Sequence, residues 1–159
     1  MISSTFTYSR AKVIQALRYH FITRKEIKIM IVLVNIFSIL SASLFYLKKV
    51  SALAFLISTV LWIGLMVTFW YLLPLIIYKQ SNTFKDSFKV NIDDMNFTLE
   101  NERGRKIWRW DSFSAFIESP HFFHLYFDTR SFFIIPKDAF KDDDLNIARQ
   151  LIKKSIKKL

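Results

Sequence analysis

Two long apolar stretches dominate the first half of the chain. No charged residue occurs over the 19 positions of residues 29–47 or over the 29 positions of residues 50–78. A helix rises about 1.5 Å per residue, so roughly 20 apolar residues are enough to cross a bilayer. The pattern predicts two transmembrane helices, at about residues 29–47 and 51–73, which together form a membrane hairpin over residues 27–78.

The connection between the two stretches is short and carries Lys48 and Lys49. So short a link forces the two helices to lie side by side and antiparallel. The second stretch is longer than one span requires, and Trp70 and Tyr78 stand on either side of Pro74, where interfacial aromatic residues are expected. Because proline lacks a backbone donor, we predict that the second helix kinks or stops around Pro74.

The pattern changes after Tyr78 to short apolar runs with a period near two, which is typical of β-strands. Turn residues such as Asp128-Thr129-Arg130 separate the runs. The six predicted strands are residues 88–92, 97–99, 107–110, 113–118, 122–127 and 132–135. Their lengths and short turns predict an antiparallel meander. The last strand is apolar on both faces, so we expect it to be central or covered by a helix.

A helix is predicted to end the chain. Acidic residues stand at its start and lysines at its end, and both placements favour the helix dipole. The residues concerned are Asp142, Asp143, Asp144, Lys153, Lys154, Lys157 and Lys158. An apolar stripe recurs every three to four positions, at Leu145, Ala148, Ile152, Ile156 and Leu159. Helix and sheet each have an apolar face to bury. The expected fold is therefore a membrane α-hairpin followed by an α+β domain over residues 79–159. In that domain the helix caps a strongly bent antiparallel sheet of the pleckstrin-homology-like (PH-like) kind.

The chain before the hairpin, residues 1–26, is predicted as a cytoplasmic piece of its own. Residues 6–8 have the composition of a short strand, and Ser9 follows as a candidate helix N-cap. Ile14, Leu17 and Phe21 then form an apolar stripe. Two placements fit this amphipathic helix: it lies on the inner membrane surface, or its stripe docks on the C-terminal domain.

The net charge of +10 is concentrated near the predicted hairpin. Residues 1–78 carry eight basic residues and one acidic residue, whereas residues 79–159 carry 15 and 12. Six lysines and arginines precede the hairpin and three follow it closely, against two at its tip. Basic flanks stay in the cytoplasm, so we expect a multi-pass protein with both termini cytoplasmic. Charge at this position indicates membrane lipids as partners rather than nucleic acid.

No pattern of catalytic or metal-binding residues stands out. The chain has no cysteine, which excludes disulfides and thiolate metal sites. His121 and His124 are three apart on a predicted strand, so they point to opposite faces, which disfavours a metal site. No glycine-rich phosphate loop and no serine–histidine arrangement is recognisable. We therefore expect a protein that is not an enzyme and has no catalytic residues, metal or cofactor.

Several features in combination resemble the YcxB-like family of bacterial membrane proteins. They are FTYS at residues 6–9, the short-looped hairpin, IWRWDSF at residues 107–113 and FFIIPKDAF at residues 132–140. The resemblance covers the whole chain and is strongest over residues 88–140. It implies the fold described above and a location in the bacterial cytoplasmic (inner) membrane, and it implies no reaction.

The most specific marks of the resemblance have structural interpretations. Trp110 resembles the tryptophan that the family places just before an acidic residue and a strand. Pro136 ends the last strand because it has no N–H for the ladder, and Phe140 is expected beneath the C-terminal helix. Asp138 departs from the family pattern, which usually has a basic residue there.

A candidate binding patch combines Lys137 with Arg105, Lys106 and Arg109. Our leading hypothesis is a non-enzymatic membrane protein that displays a cytoplasmic PH-like domain for binding or scaffolding. Its partner is expected to be anionic lipid, another membrane protein or a second copy of the chain. The alternative is an accessory or oligomeric small pore in transport, which is less supported because neither predicted span contains an acidic or basic residue or a histidine.

Overall fold

The computed structural model describes residues 2–129 and 131–157. The chain forms two compact units. One is the helical unit Leu17–Gln80, and the other, here called the domain, combines the chain up to Ala16 with the chain from Ser81 onwards. Three residues for which we made predictions lie outside the described residues: Arg130, Lys158 and Leu159.

Seven strands and four helices make up the described part of the chain. The strands are β1 (Ile2–Phe6), β2 (Phe88–Ile92), β3 (Asn96–Asn101), β4 (Gly104–Arg109), β5 (Ala115–Glu118), β6 (Phe122–Tyr126) and β7 (Phe132–Pro136). The helices are α1 (Arg10–Thr23), α2 (Lys25–Tyr46), α3 (Ala52–Gln80) and α4 (Asp142–Ser155). Two long apolar helices, antiparallel sheets and a C-terminal helix are therefore confirmed.

Helices α2 and α3 are both long and apolar enough to cross a membrane. They pack against each other with the hydroxyl oxygens of Ser41 and Ser58 2.6 Å apart. At the tip, Lys48 takes a φ of 56°, which lets the chain reverse direction. Ser51 then starts α3 as its N-cap, because its side chain accepts a hydrogen bond from the Ala54 N–H.

Helix α3 continues past Pro74 to Gln80 and does not stop there. Pro74 has no N–H, so the carbonyl of Trp70, four residues earlier, loses its helical partner. The helix adapts by widening into a π-helical turn at Thr68–Leu72. The Trp70 carbonyl instead accepts a hydrogen bond of 2.7 Å from Nε of Arg18. A proline that would break a helix is thus accommodated by a side chain from α1.

The strands form two antiparallel sheets rather than the single six-stranded meander we predicted. The first sheet has the order β1-β2-β3-β4, and the second has the order β5-β6-β7. A 3-10 turn at Trp110–Ser112 separates β4 from β5 and interrupts the ladder between them. The predicted strand at residues 113–118 accordingly begins only at Ala115.

The seventh strand comes from the chain before the hairpin. Strand β1 pairs with β2, so that Phe6 lies opposite Phe88 and Ser4 opposite Val90. Residues 1–26 are therefore not a separate piece, because their strand completes the sheet that follows the hairpin. The strand also ends earlier than we predicted, since Tyr8 lies beyond it and its hydroxyl donates to the Ile134 carbonyl at 2.8 Å.

The first half of α1 also belongs to the domain. Its Lys12 forms an ion pair with Asp138. Val13, one turn into the helix, is fully buried. The docked placement therefore holds for the part of α1 up to Ala16. Apolar Ile14, which we placed on the buried stripe, is only partly covered.

One aromatic core lies between the two sheets and α4. Phe97 is completely buried at its centre, and Phe123, Ile135 and Ile152 reach it from β6, β7 and α4. Strand β6 is the central strand of its sheet, and all five of its residues are buried. Strand β7, which we expected to be central or covered by the C-terminal helix, lies at the edge of that sheet, and its Ile135 shares the core with Ile152 of α4.

Candidate interaction surface

Lys137 of the predicted patch is enclosed in an ion-pair cluster. Its Nζ lies 2.8 Å from a carboxylate oxygen of Glu118, and the same oxygen accepts a hydrogen bond of 3.0 Å from Nε of Arg149. The three side chains are between 17% and 29% exposed. The Lys137 ammonium also stands 5.4 Å from the ring centre of Phe123. We call Glu118, Lys137 and Arg149 the closed cluster, because each charge in it already has a partner.

The closed cluster fixes the charge state of its carboxylate. Burial alone would raise the pKa of Glu118, but hydrogen bonds and charges from Lys137 and Arg149 outweigh burial. The net effect lowers the pKa of Glu118 below its ordinary value of 4.5. Glu118 therefore stays ionised and holds the turn after β7 against α4.

The other three residues of the predicted patch lie on β4. Side chains alternate along a strand, so Arg105 and Arg109 share one face with Ile107. Lys106 points to the opposite face, where its Nζ lies 5.2 Å from the ring centre of Trp108. The four predicted residues thus occupy three different environments, and Lys137 lies in the 3-10 turn that follows β7.

The face that carries Arg105 and Arg109 is open. Ile107, between them, is 55% exposed. Arg109 pairs with Asp111 at 3.2 Å, but both side chains are more than 60% exposed, so the pair contributes little to stability. Arg105 lies opposite Glu100 of β3. This face of β4 therefore presents an exposed apolar side chain between two arginines.

At two of the four sheet edges, those of β5 and β7, a backbone group forms a hydrogen bond with another part of the domain. At β5, the Phe116 N–H donates to the Lys157 carbonyl at 3.0 Å, so the chain after α4 contacts this edge. At β7, the Ile134 carbonyl accepts the hydrogen bond from Tyr8. These contacts occupy edges that would otherwise offer unpaired backbone groups.

The edges of the first sheet differ from each other. At β1, the Ser4 hydroxyl donates to the Ala139 carbonyl, which ties the edge strand to the turn after β7. Strand β4 pairs with β3 alone, and within the described residues its other edge makes no further backbone hydrogen bond. Every second residue of β4 therefore directs its N–H and C=O away from the sheet. We call this side of β4, with Arg105, Ile107 and Arg109, the open edge.

The three marks with structural interpretations are all buried. Trp110 is 6% exposed, and its indole N–H donates to the Asp93 carbonyl at 2.9 Å, which ties the 3-10 turn to the β2–β3 turn. Pro136 is the last residue of β7 and lies opposite Phe122. Phe140 is 7% exposed and belongs to the core that α4 covers.

Other polar residues hold structural positions. His121 lies before β6, and His124 is buried with its Nε2 3.0 Å from the Ser119 hydroxyl. In the described chain, no group of three histidines or carboxylates is close enough to hold a metal ion. Asp142, Asp143 and Asp144 form the first turn of α4.

Sequence reasoning missed Glu118 and Arg149. Glu118 ends a predicted strand and Arg149 stands on the polar side of a predicted helix, where charged residues are ordinary. The sequence carries no signal that would pair these two residues with Lys137, because all three lie on different elements.

The similarity found to known proteins lies in the domain. The model of the YcxB-like protein family matches residues 92–152, which run from the end of β2 into α4. No curated protein and no solved structure matches the chain significantly. The matched segment contains the open edge, the closed cluster and all three buried marks. The resemblance drawn from the sequence is confirmed, and the segment from residue 92 to residue 152 is YcxB-like.

Proposed function

We propose that the protein is a non-enzymatic, two-span protein of the bacterial inner membrane whose cytoplasmic PH-like domain binds or scaffolds a partner. One observation carries this proposal: the two apolar helices are inserted between β1 and β2 of one sheet. Because β1 and β2 are paired, the chain before α2 and the chain after α3 end on the same side of any membrane that the helices cross.

The same observation supports the orientation. A domain attached at both ends of a hairpin lies wholly on one side, and the basic residues around Lys25 and Lys79 favour the cytoplasm for that side. The tip with Lys48 and Lys49 then faces outwards.

The strand arrangement supports the PH-like assignment. Seven strands in a four-stranded and a three-stranded antiparallel sheet enclose one core, and α4 closes it. A bent β-structure capped by a C-terminal helix is the plan that the sequence predicted for PH-like domains. Here the first strand is separated from the second by the whole hairpin.

Binding is favoured over catalysis by the way the polar groups are used. The largely buried cations of the closed cluster share the carboxylate of Glu118 and hold elements together. Arg105 and Arg109 on the surface of β4 are not enclosed in this way, so they are available to a partner. A transport role would need polar groups along the hairpin, whereas the hydroxyls of Ser41 and Ser58 bond to each other.

The absence of cysteine gives a direct test of the topology. Single cysteines are introduced as Lys49→Cys at the tip and Lys154→Cys on the exposed side of α4, and intact cells are treated with a membrane-impermeant maleimide. We expect labelling of Lys49→Cys alone, and of both variants after the membrane is permeabilised. Labelling of Lys154→Cys in intact cells, or of neither variant after permeabilisation of a folded protein, would overturn the proposed topology.

The binding role is tested with the full chain by crosslinking in cells followed by affinity purification. A suitable control is Phe97→Asp, which places a charge at the centre of the core and unfolds the domain while leaving the hairpin unchanged. We expect one membrane protein to be retained by the wild-type chain and lost with the control. Equal recovery of every protein by both chains contradicts a role for the domain in binding.

A further inference from the structure

The open edge combines three properties that point to one kind of partner. The backbone groups of β4 that point away from β3 make no backbone hydrogen bond in the described chain. The central side chain, Ile107, is apolar and exposed. The positively charged Arg105 and Arg109 stand on either side of it. We propose that the open edge binds an extended acidic segment of a partner protein, which adds to the first sheet as a strand beside β4. This inference rests on the proposed binding function and names the partner's chemistry.

The backbone provides the first argument. An exposed edge is a template for another strand, and proteins normally cover it. This domain does so at β5, where Phe116 bonds to Lys157, and at β7, where Tyr8 bonds to Ile134. Strand β4 is six residues long, and five of those residues are exposed. Within the described residues, no backbone hydrogen bond occupies the outer edge of β4, so a further strand can add there.

The side chains provide the second argument, because they specify the sequence of the added strand. Residues directly opposite each other in neighbouring strands interact, and opposite charges stabilise the pair. A partner strand would therefore place acidic residues beside Arg105 and Arg109 and an apolar residue beside Ile107. The expected motif is acidic, any residue, apolar, any residue, acidic.

The same geometry argues against a second copy of this chain. Two antiparallel β4 strands related by a two-fold axis through Ile107 would place Arg105 of one copy opposite Arg109 of the other. Like charges directly opposite each other are destabilising. The exposed pair between Arg109 and Asp111 is weak enough to be exchanged for a partner's carboxylate.

Binding is measured with the full chain in detergent and a fluorescent peptide, Thr-Glu-Thr-Val-Thr-Glu-Thr, by fluorescence anisotropy. We expect the double variant Arg105→Glu with Arg109→Glu to weaken binding about tenfold or more, because two attractive pairs become repulsive. A matched control reverses Lys153 and Lys154, which are also exposed, and should bind as the wild type does. A peptide with lysine in place of glutamate should bind the double variant and not the wild type.

Hydrogen exchange distinguishes strand addition from simple attraction between charges. Saturation with the acidic peptide should slow exchange in the fragment that covers Gly104–Arg109, because its outward N–H groups become bonded. Peptide binding without that protection, or binding that the control variant loses equally, would overturn strand addition at this edge.

Hydrogen exchange also tests the alternative that the open edge binds anionic lipid head groups. Full chain in nanodiscs of phosphatidylcholine is compared with chain in nanodiscs that also contain phosphatidylglycerol, without peptide. Protection of Gly104–Arg109 that depends on phosphatidylglycerol would overturn the proposal in favour of head groups. Because the cysteine labelling at Lys49 and Lys154 reads topology alone, failure of the open edge is distinguishable from failure of the membrane-tethered arrangement.

Discussion

The closed cluster and the open edge contain the same kinds of residue and differ in what surrounds them. Lys137 is 17% exposed and shares Glu118 with Arg149, whereas Arg109 is 78% exposed and its partner Asp111 is 66% exposed. A charge that is partly withdrawn from water depends on its partner, because water no longer stabilises it. A charge in open solvent is stabilised by water and does not depend on a partner in this way. The comparison separates charges that hold the fold from charges that are available for recognition.

The largest expected effect comes from removing the shared carboxylate of the closed cluster. Glu118→Gln should destabilise the domain by about 2 kcal/mol, because Lys137 and Arg149 would be left half-buried without a counter-charge. Asp111→Asn is the matched change at the open edge and should have no measurable effect on stability. Hydrogen exchange of β5 and β6 in the full chain measures both. Equal effects of the two substitutions would remove the distinction between cluster and edge.

A smaller effect on stability is expected when one cation of the closed cluster is replaced and compared with one cation of the open edge. Lys137→Met keeps the stem over Phe123 and should cost about 1 kcal/mol, since the carboxylate retains Arg149. Arg105→Met should leave stability unchanged. Thermal unfolding followed by tryptophan fluorescence compares the two, and a larger loss for Arg105→Met would show that the open edge is part of the fold's support.

The smallest expected effect is a difference in acid sensitivity. The pKa of Glu118 is lower in the folded chain than its ordinary value of 4.5, so the cluster's contribution is complete above that pH. It is lost as the pH falls through the folded pKa, where Glu118 takes up a proton. As the pH falls below 4.5 and through the folded pKa of Glu118, the wild type should therefore lose more stability than Glu118→Gln does. If the stability of the wild type and that of Glu118→Gln fell equally with pH, Glu118 would not contribute to stability as an ionised member of the closed cluster.

The pattern along the chain was sufficient for elements that are specified locally. The apolar runs gave α2 and α3, the period of two gave β2 to β7, and the dipole-matched charges gave α4. These features depend on neighbours within one helix turn or one strand. Their boundaries moved by a few residues, as at Pro74, where Arg18 supplies the contact that lets the helix continue.

Features that depend on distant pairing were missed for a physical reason. Nothing in the sequence of β1 indicates which strand it pairs with. Its Phe6 lies opposite Phe88, which follows it by 82 positions. The partner of Lys137 depends on how the 3-10 turn after Pro136 directs the side chain. The predicted patch combined four basic residues by their type, whereas their grouping is decided by alternation along β4 and by the separation of the two sheets.

The insertion of the hairpin between β1 and β2 has a consequence for how the protein is made. Strand β1 leaves the ribosome first, yet the strand that it pairs with follows only after both apolar helices have been synthesised. A chain whose two helices failed to fold back on each other would keep β1 and β2 apart, with Phe6 and Phe88 uncovered. Completion of the domain therefore depends on the pairing of α2 with α3, and quality control that recognises exposed aromatic residues would detect each failure.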